Sequence, residues 1–239
     1  MSPRRIGAIF RKELREYRRN RSIVVTMSVI PIIFIIAPLV EILALPAAAS
    51  SALLSGDPLA ILLGIPALVP ATIAAFAVVG ERQQGTLEPV LTTPIRRDEL
   101  LLAKALAALL PSLAVSFLVY GLFLAAVALL AKPAVAAAVF TGPDILVQVI
   151  FTPLLAAWSI WVGIAISARS SDFRVAQQLG SLASLPSVVV IYLIAYGVIP
   201  ATPALALGLA LLLLVLDGLG WRMASAAFDR ERLLTGSRR

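Results

Sequence analysis

Six apolar runs, each long enough to cross a bilayer, dominate the sequence: residues 22–44, 58–80, 100–131, 145–167, 182–199 and 203–222. A helix rises 1.5 Å per residue, so about 20 apolar residues cover the ~30 Å hydrocarbon layer. No water meets an unpaired N–H or C=O inside that layer, which leaves helices and closed barrels as spanning forms. The runs are continuous and not alternating, so they read as helices. The expected fold is an all-α membrane protein with six transmembrane helices. Composition agrees: 60% of the residues are hydrophobic and 14% charged, against about 45–50% and about 25% in soluble domains. The third run is the longest and is expected to extend into the cytoplasm. The fifth and sixth are joined by a very short turn around Pro200 and Pro203, which predicts a tight antiparallel pair.

The charges orient the runs. Eight basic residues precede the first: Arg4, Arg5, Arg11, Lys12, Arg15, Arg18, Arg19 and Arg21. Arg82, Arg96, Arg97 and Lys104 lie in or beside the second linker, Arg169 and Arg174 in the fourth, and Arg222, Arg230, Arg232, Arg238 and Arg239 after the sixth run. Only Lys132 falls elsewhere, so nineteen of the twenty basic residues share one side if there are six spans. The positive-inside rule then predicts that both termini are cytoplasmic. Loss of one span would put the basic clusters on opposite sides. The net charge of +7 thus follows membrane topology, and no nucleic-acid partner is expected. The expected location is a cell membrane, and a prokaryotic one.

Residues 1–21 read as a separate element, residues 22–222 as the membrane domain and residues 223–239 as a basic cytoplasmic tail. Ile6, Ile9, Phe10, Leu14 and Tyr17 repeat at helical spacing with Arg and Lys around them. Such an amphipathic helix can lie in the headgroup layer. It can anchor on anionic lipid or dock a cytoplasmic partner, and the two roles are compatible. The basic, polar opening is not the pattern of a cleavable signal.

The second linker carries the most information: Glu81-Arg82-Gln83-Gln84-Gly85-Thr86-Leu87-Glu88-Pro89-Val90-Leu91-Thr92-Thr93-Pro94. Gly85 reads as a break after the second span. Thr86 is a good N-cap, Glu88 favours the helix dipole in the first turn, and Pro89 is tolerated there. Thr93-Pro94 ends the element. The linker therefore encodes a short helix of about six residues that presents Leu87, Val90 and Leu91. A structural turn lying on the membrane is the other reading.

Glu81-Arg82-x-x-Gly85-Thr86-Leu87-Glu88, followed by Leu91 and Thr93-Pro94-Ile95, resembles the signature of ATP-binding-cassette (ABC) exporter permeases of the type-2 class. Phe10-Arg11-Lys12-Glu13-Leu14-Arg15-Glu16 resembles the amphipathic elbow helix of that class, with Phe10, Lys12, Glu13 and Leu14 as its marker positions. The resemblance implies a cytoplasmic coupling helix between spans two and three, seated in a cleft of a separate ATPase subunit through Glu81, Arg82, Gly85, Thr86, Leu87, Glu88 and Leu91. It implies a smaller second contact through Arg169, Asp172 and Phe173, and a second permease copy or a homologous permease. ATP and Mg would sit on the partner, with no cofactor in this chain. Many relatives carry a large external domain, whereas the external linkers here are short.

Other chemistry finds little support. The sequence has no Cys and no His, so thiolate and imidazole metal sites and the usual general base are missing. No G-x-x-x-x-G-K-[ST] run offers a phosphate cradle. No catalytic residue and no metal site is expected, and the chain is not read as an enzyme. A self-contained secondary transporter would show internal repeats, and none is evident; a membrane assembly factor is the remaining alternative. Two acids sit in apolar surroundings, Glu41 near the outer end of span one and Asp217 within span six. Such residues face a cavity or a partner, so Glu41 reads as interfacial or intramembrane. Asp217 reads as structurally paired or in contact with substrate or cation. Gln148, Trp158 and Trp161 read as interfacial or packing residues. Prolines within the runs predict kinks. The expected cargo is hydrophobic or amphipathic, with ions as the other class.

Overall fold

A computed structural model describes residues 2–46, 58–83, 85 and 96–227. Among these residues there is no strand. Among the described residues, six helices are long and apolar enough to span a membrane.

Helix α1, Pro3–Arg19, begins with proline in its first turn, where a missing N–H costs nothing. It ends at Asn20, whose N–H closes on Glu16 O and Tyr17 O. The Asn20 side chain then accepts from the amides of Ser22 and Ile23 and starts α2, Arg21–Ala44. One residue thus caps two helices and makes the corner between them.

The second apolar run is divided. A 3-10 turn, Pro58–Leu63, leads into α3, Gly64–Ala74, and after Ala75 into α4, Phe76–Gln83. Within Leu59–Gln83, 94% of the most apolar stretch is buried inside the chain, against 22% for the first span. Span two is therefore the axis of the bundle, and small residues make that possible. Gly163 packs so closely on α3 that an added Cβ would lie 2.9 Å from Ala71 O and 2.8 Å from Ala74 Cβ. Close backbone approach through small residues is how helices associate without a hydrophobic driving force.

Helix α5, Arg97–Leu130, carries Asp98 and Glu99 in its first turn. Helix α6, Pro133–Val139, is a short helix within the third linker, with Val135 and Val139 turned inward. Helix α7, Gly142–Arg169, starts at Thr141, which accepts from Asp144 N. Helix α8, Phe173–Ala195, is capped by Asp172, whose carboxylate accepts from Arg174 N and Val175 N. It begins nine residues before the 182 expected from the apolar run. Arg174, Gln177 and Gln178 lower the hydropathy of its first turns and hide them from an apolar-run criterion. Gly197, with φ 70°, closes α8 in the left-handed conformation that glycine adopts without strain. Helix α9, Pro203–Ala227, follows. It packs on α7, where Trp161 and Trp221 meet edge to face at 5.3 Å. Trp161 is thus a packing residue.

The connections sort into two ends. α1, the end of α4, the start of α5 and Arg169–Phe173 gather at one, here called the basic end. Leu45 and Lys132 meet at the other, where Lys132 Nζ donates to Leu45 O at 3.3 Å.

Replacement of Gly163 by alanine is expected to push α3 and α7 apart and cost about 1–3 kcal/mol. Gly121→Ala is the control, since an added Cβ there meets nothing within 4 Å. Thermal unfolding in detergent should separate the two variants clearly.

Candidate functional site

Lys104 lies two turns inside the apolar helix α5, and its side chain is 0% exposed. A buried ammonium without a partner is too costly to keep charged, so its surroundings must supply carboxylates. Two arrive from different elements. Glu13 of α1 places Oε1 2.8 Å from Lys104 Nζ, and Glu81 of α4 places Oε2 at 3.1 Å. Both carboxylates are themselves 1–2% exposed. Lys12 closes the figure at 2.5 Å from Glu81 and 3.5 Å from Glu13. The result is a four-membered ring of alternating charge, Lys12–Glu81–Lys104–Glu13, whose formal charges cancel. Glu16 joins from outside at 3.1 Å from Lys12.

Burial alone pushes the Glu13 carboxyl up, but the ammonium groups of Lys104 and Lys12 outweigh it and hold Glu13 below its ordinary range. Burial likewise pulls Lys12 down, and the carboxylates of Glu13, Glu81 and Glu16 more than reverse that, raising it above an ordinary lysine. Tyr17, one turn beyond Glu13 on the same face of α1, is buried, and desolvation followed by the nearby carboxylates raises its phenol.

A second tie lies closer to the start of α5. Glu99 accepts from Arg96 N at 3.3 Å, the reciprocal half of a capping box. The same carboxylate accepts from Ser2 N at 2.6 Å and lies 3.8 Å from Arg5. Helix α1 is therefore held to α5 at its start and again past its middle.

Arg82 turns the other way. It donates to Ser170 O at 2.9 Å and to Ala168 O at 3.4 Å. These carbonyls belong to the end of α7, where a cation also meets the negative pole of the helix dipole. Phe76 and Phe173 add an edge-to-face contact at 5.5 Å. The segment 84–95 is thus rooted on both sides. Glu81 and Arg82 fix its start, and the Arg96–Glu99 cap fixes its end. Gly85 has φ 68° and is exposed, which suits the break expected there. Thr86, Leu87, Glu88 and Leu91 lie outside the described residues.

The remaining sequence candidates separate. Phe10 and Leu14 are partly buried, Lys12 and Glu13 belong to the ring, and Arg169 is exposed with a weak bond to its own Ala165 O. Asp172 and Phe173 serve the start of α8. Glu41 is exposed at the far end of α2. Asp217 sits on α9 towards the basic end, with Oδ1 buried and without a hydrogen-bond partner. These two acids do not share a site. Gln148 is buried in α7. Lys104 was the residue that sequence reasoning passed over. Its signal was an ionisable side chain inside an apolar run, the same signal that marked Asp217.

A groove of about 580 Å³ opens between α2, α3 and α8. Thr26, Thr72, Gln177, Gln178 and Ser181 line it together with Val29 and Leu182, and no lining residue is charged. Gln177 Nε2 donates to Thr26 Oγ1 at 3.4 Å across its mouth.

An all-helical chain with six spanning helices and an internal ionic ring is a multi-pass membrane protein. A family model described as ABC-2 family transporter protein matches residues 7–227. The chain belongs to that family: it is a membrane permease subunit of an ABC transporter, a class that works with an ATPase partner. The matched stretch includes the ring and all six spans. No curated protein matches the sequence significantly.

Removing Lys104 alone strands two buried carboxylates. Lys104→Met is expected to cost about 3–5 kcal/mol, while the triple variant Glu13→Gln, Glu81→Gln, Lys104→Met costs less than that single change. Thermal unfolding of the parent, Lys104→Met, the double variant Glu13→Gln, Glu81→Gln and the triple variant tests the non-additivity. The pH dependence follows from the shifts. The depressed Glu13 contributes stability above an ordinary carboxylate value of about 4.3 and loses it as pH falls through its folded value. The raised Lys12 contributes below about 10.4 and loses it as pH rises through its folded value. The ring's contribution to the melting temperature should be constant between those limits and fall on either side.

Proposed function

We propose that the chain is the permease of an exporter whose ATP and Mg are bound by a separate nucleotide-binding subunit. The supporting observation is the double rooting of residues 84–95. The segment that resembles a coupling helix begins at a residue locked into a buried ring and ends at a cap tied to the same helix, α1. A partner that pushes on Thr86, Leu87, Glu88 and Leu91 would move α4, α5 and α1 together, and Arg82 would carry the push to α7. Coupling of this kind requires the partner to bind two permease states with different affinity.

In this reading the basic end faces the cytoplasm, with α1 along the headgroups and its arginines towards anionic lipid. A second permease copy, or a homologous one, completes the pathway. The uncharged groove between α2, α3 and α8 suits a hydrophobic or amphipathic cargo with a neutral polar group. It lies in the half of the bundle nearer the basic end, which favours uptake from the cytoplasm or the inner leaflet and export from there.

Two tests apply. Replacement of Gly85-Thr86-Leu87-Glu88 by alanines should weaken co-purification of the ATPase by tenfold or more and abolish transport. Unchanged assembly and transport would sink the assignment. The chain has no cysteine, so single cysteines report topology directly. Gln83→Cys should be labelled from the cytoplasmic side and Val198→Cys from the outside; the reversed pattern would overturn the orientation, and labelling of both from one side would overturn the topology.

A further inference from the structure

The break in span two has its own partner. Between α3 and α4 the backbone passes through Ala75, deep in the bundle, where groups released from a helical ladder need other partners. Ser167 of α7 supplies them. Its Oγ accepts from Val78 N and from Val79 N, each at 3.1 Å, and donates to Ala75 O at 2.6 Å. A hydroxyl offers one donor and two acceptor positions, so all are in use. The residue is 0% exposed, so bulk water does not compete for these groups.

Serines inside helices ordinarily bond back to the carbonyl four residues earlier. Ser112, Ser170 and Ser184 do so here, to Ala108, Ile166 and Gly180. Ser167 instead reaches across to a neighbouring element. Arg82, seven residues beyond Ala75, makes the second crossing to Ala168 O and Ser170 O. α4 is only eight residues long, and it is therefore stapled to the end of α7 near both of its ends.

We propose that Ser167 is a positioning residue for coupling. It pins α4 to α7, so that the end of α4, Arg82 and Gln83, and the turn Ser170–Asp172 move as one body. This deepens the functional reading above and rests on it for the role of residues 84–95. α4 could pivot at Ala75 relative to α3, but it could not do so without carrying the start of α8. The two expected ATPase contacts would then be one mechanical unit.

The test uses spin labels at Gln83→Cys and Ser171→Cys, both exposed positions, in the full chain in nanodiscs, alone and with the ATPase. The expected distance distribution is single, narrow and unchanged by ATP. Ser167→Ala should at least double its width and make it respond to ATP, and Ser167→Thr, which keeps the hydroxyl, should return it to the parent shape. A parent distance that shifts with ATP would overturn the proposal, as would a Ser167→Ala distribution as narrow as the parent's. If Ser167→Ala does not fold, the parent distance across nucleotide states decides alone. A chain that binds no ATPase refutes the functional reading instead, while the widths measured without partner still decide whether the staple exists.

Discussion

The structure depends on the pairing of one lysine. Lys104 sits in an apolar helix with no access to water, and it stays charged only if carboxylates reach it. None is available within its own turn of α5, so they come from α1 and α4. Pairing Lys104 with a single carboxylate would leave the other acid uncompensated. Lys12 resolves this by facing both acids, and the ring closes at zero net charge. A buried ring adds little net stability over a well-packed apolar core, but loss of one member is severe. Its contribution here is geometric. Three elements far apart in sequence cannot separate without breaking these ion pairs.

The same constraint explains how the rest of the bundle is held. Every backbone group at membrane depth needs a protein partner. Breaks in span two therefore occur only where side chains can serve the released groups, and Ser167 does this at Ala75. Helix ends are treated likewise: Asn20, Glu99, Thr141 and Asp172 each cap a start, and Arg82 covers the last carbonyls of α7. Small residues around span two then let α7 and α8 approach the axis. Gly163 and Gly180 both face Ala71.

Much of this was legible from residues alone. Six spanning helices follow from run length, because hydrocarbon thickness sets a sharp requirement. The helical character of α1 follows from the spacing of Ile6, Phe10, Leu14 and Tyr17. The start of α8 was not legible, because Arg174, Gln177 and Gln178 break the apolar run while leaving the helix intact. Nor was the division of span two, which depends on a serine 92 residues away that supplies hydrogen bonds. For the site, Glu13, Lys12, Glu81 and Arg82 were marked by resemblance, but what joins them was not. Ion pairs between α1, α4 and α5 depend on tertiary packing, and no local pattern encodes them. Lys104 could have been singled out, since an ionisable group within a span needs a partner.

For a permease subunit of an ABC transporter, the ring provides a mechanical root for the segment expected to meet the ATPase. Force applied there would reach α1 and span three through charges and the end of α7 through Arg82. All of this requires that the ring, and not general apolar packing, hold α1 in place. Residue-resolved amide hydrogen exchange of Lys104→Met against the parent chain, in the same nanodiscs, measures that directly. A loss of about 3 kcal/mol from the broken ring corresponds to exchange faster by more than about a hundredfold. The account predicts acceleration of that order through α1, Pro3–Arg19, with α9 unaffected. Parent-like protection of α1 in Lys104→Met would contradict it.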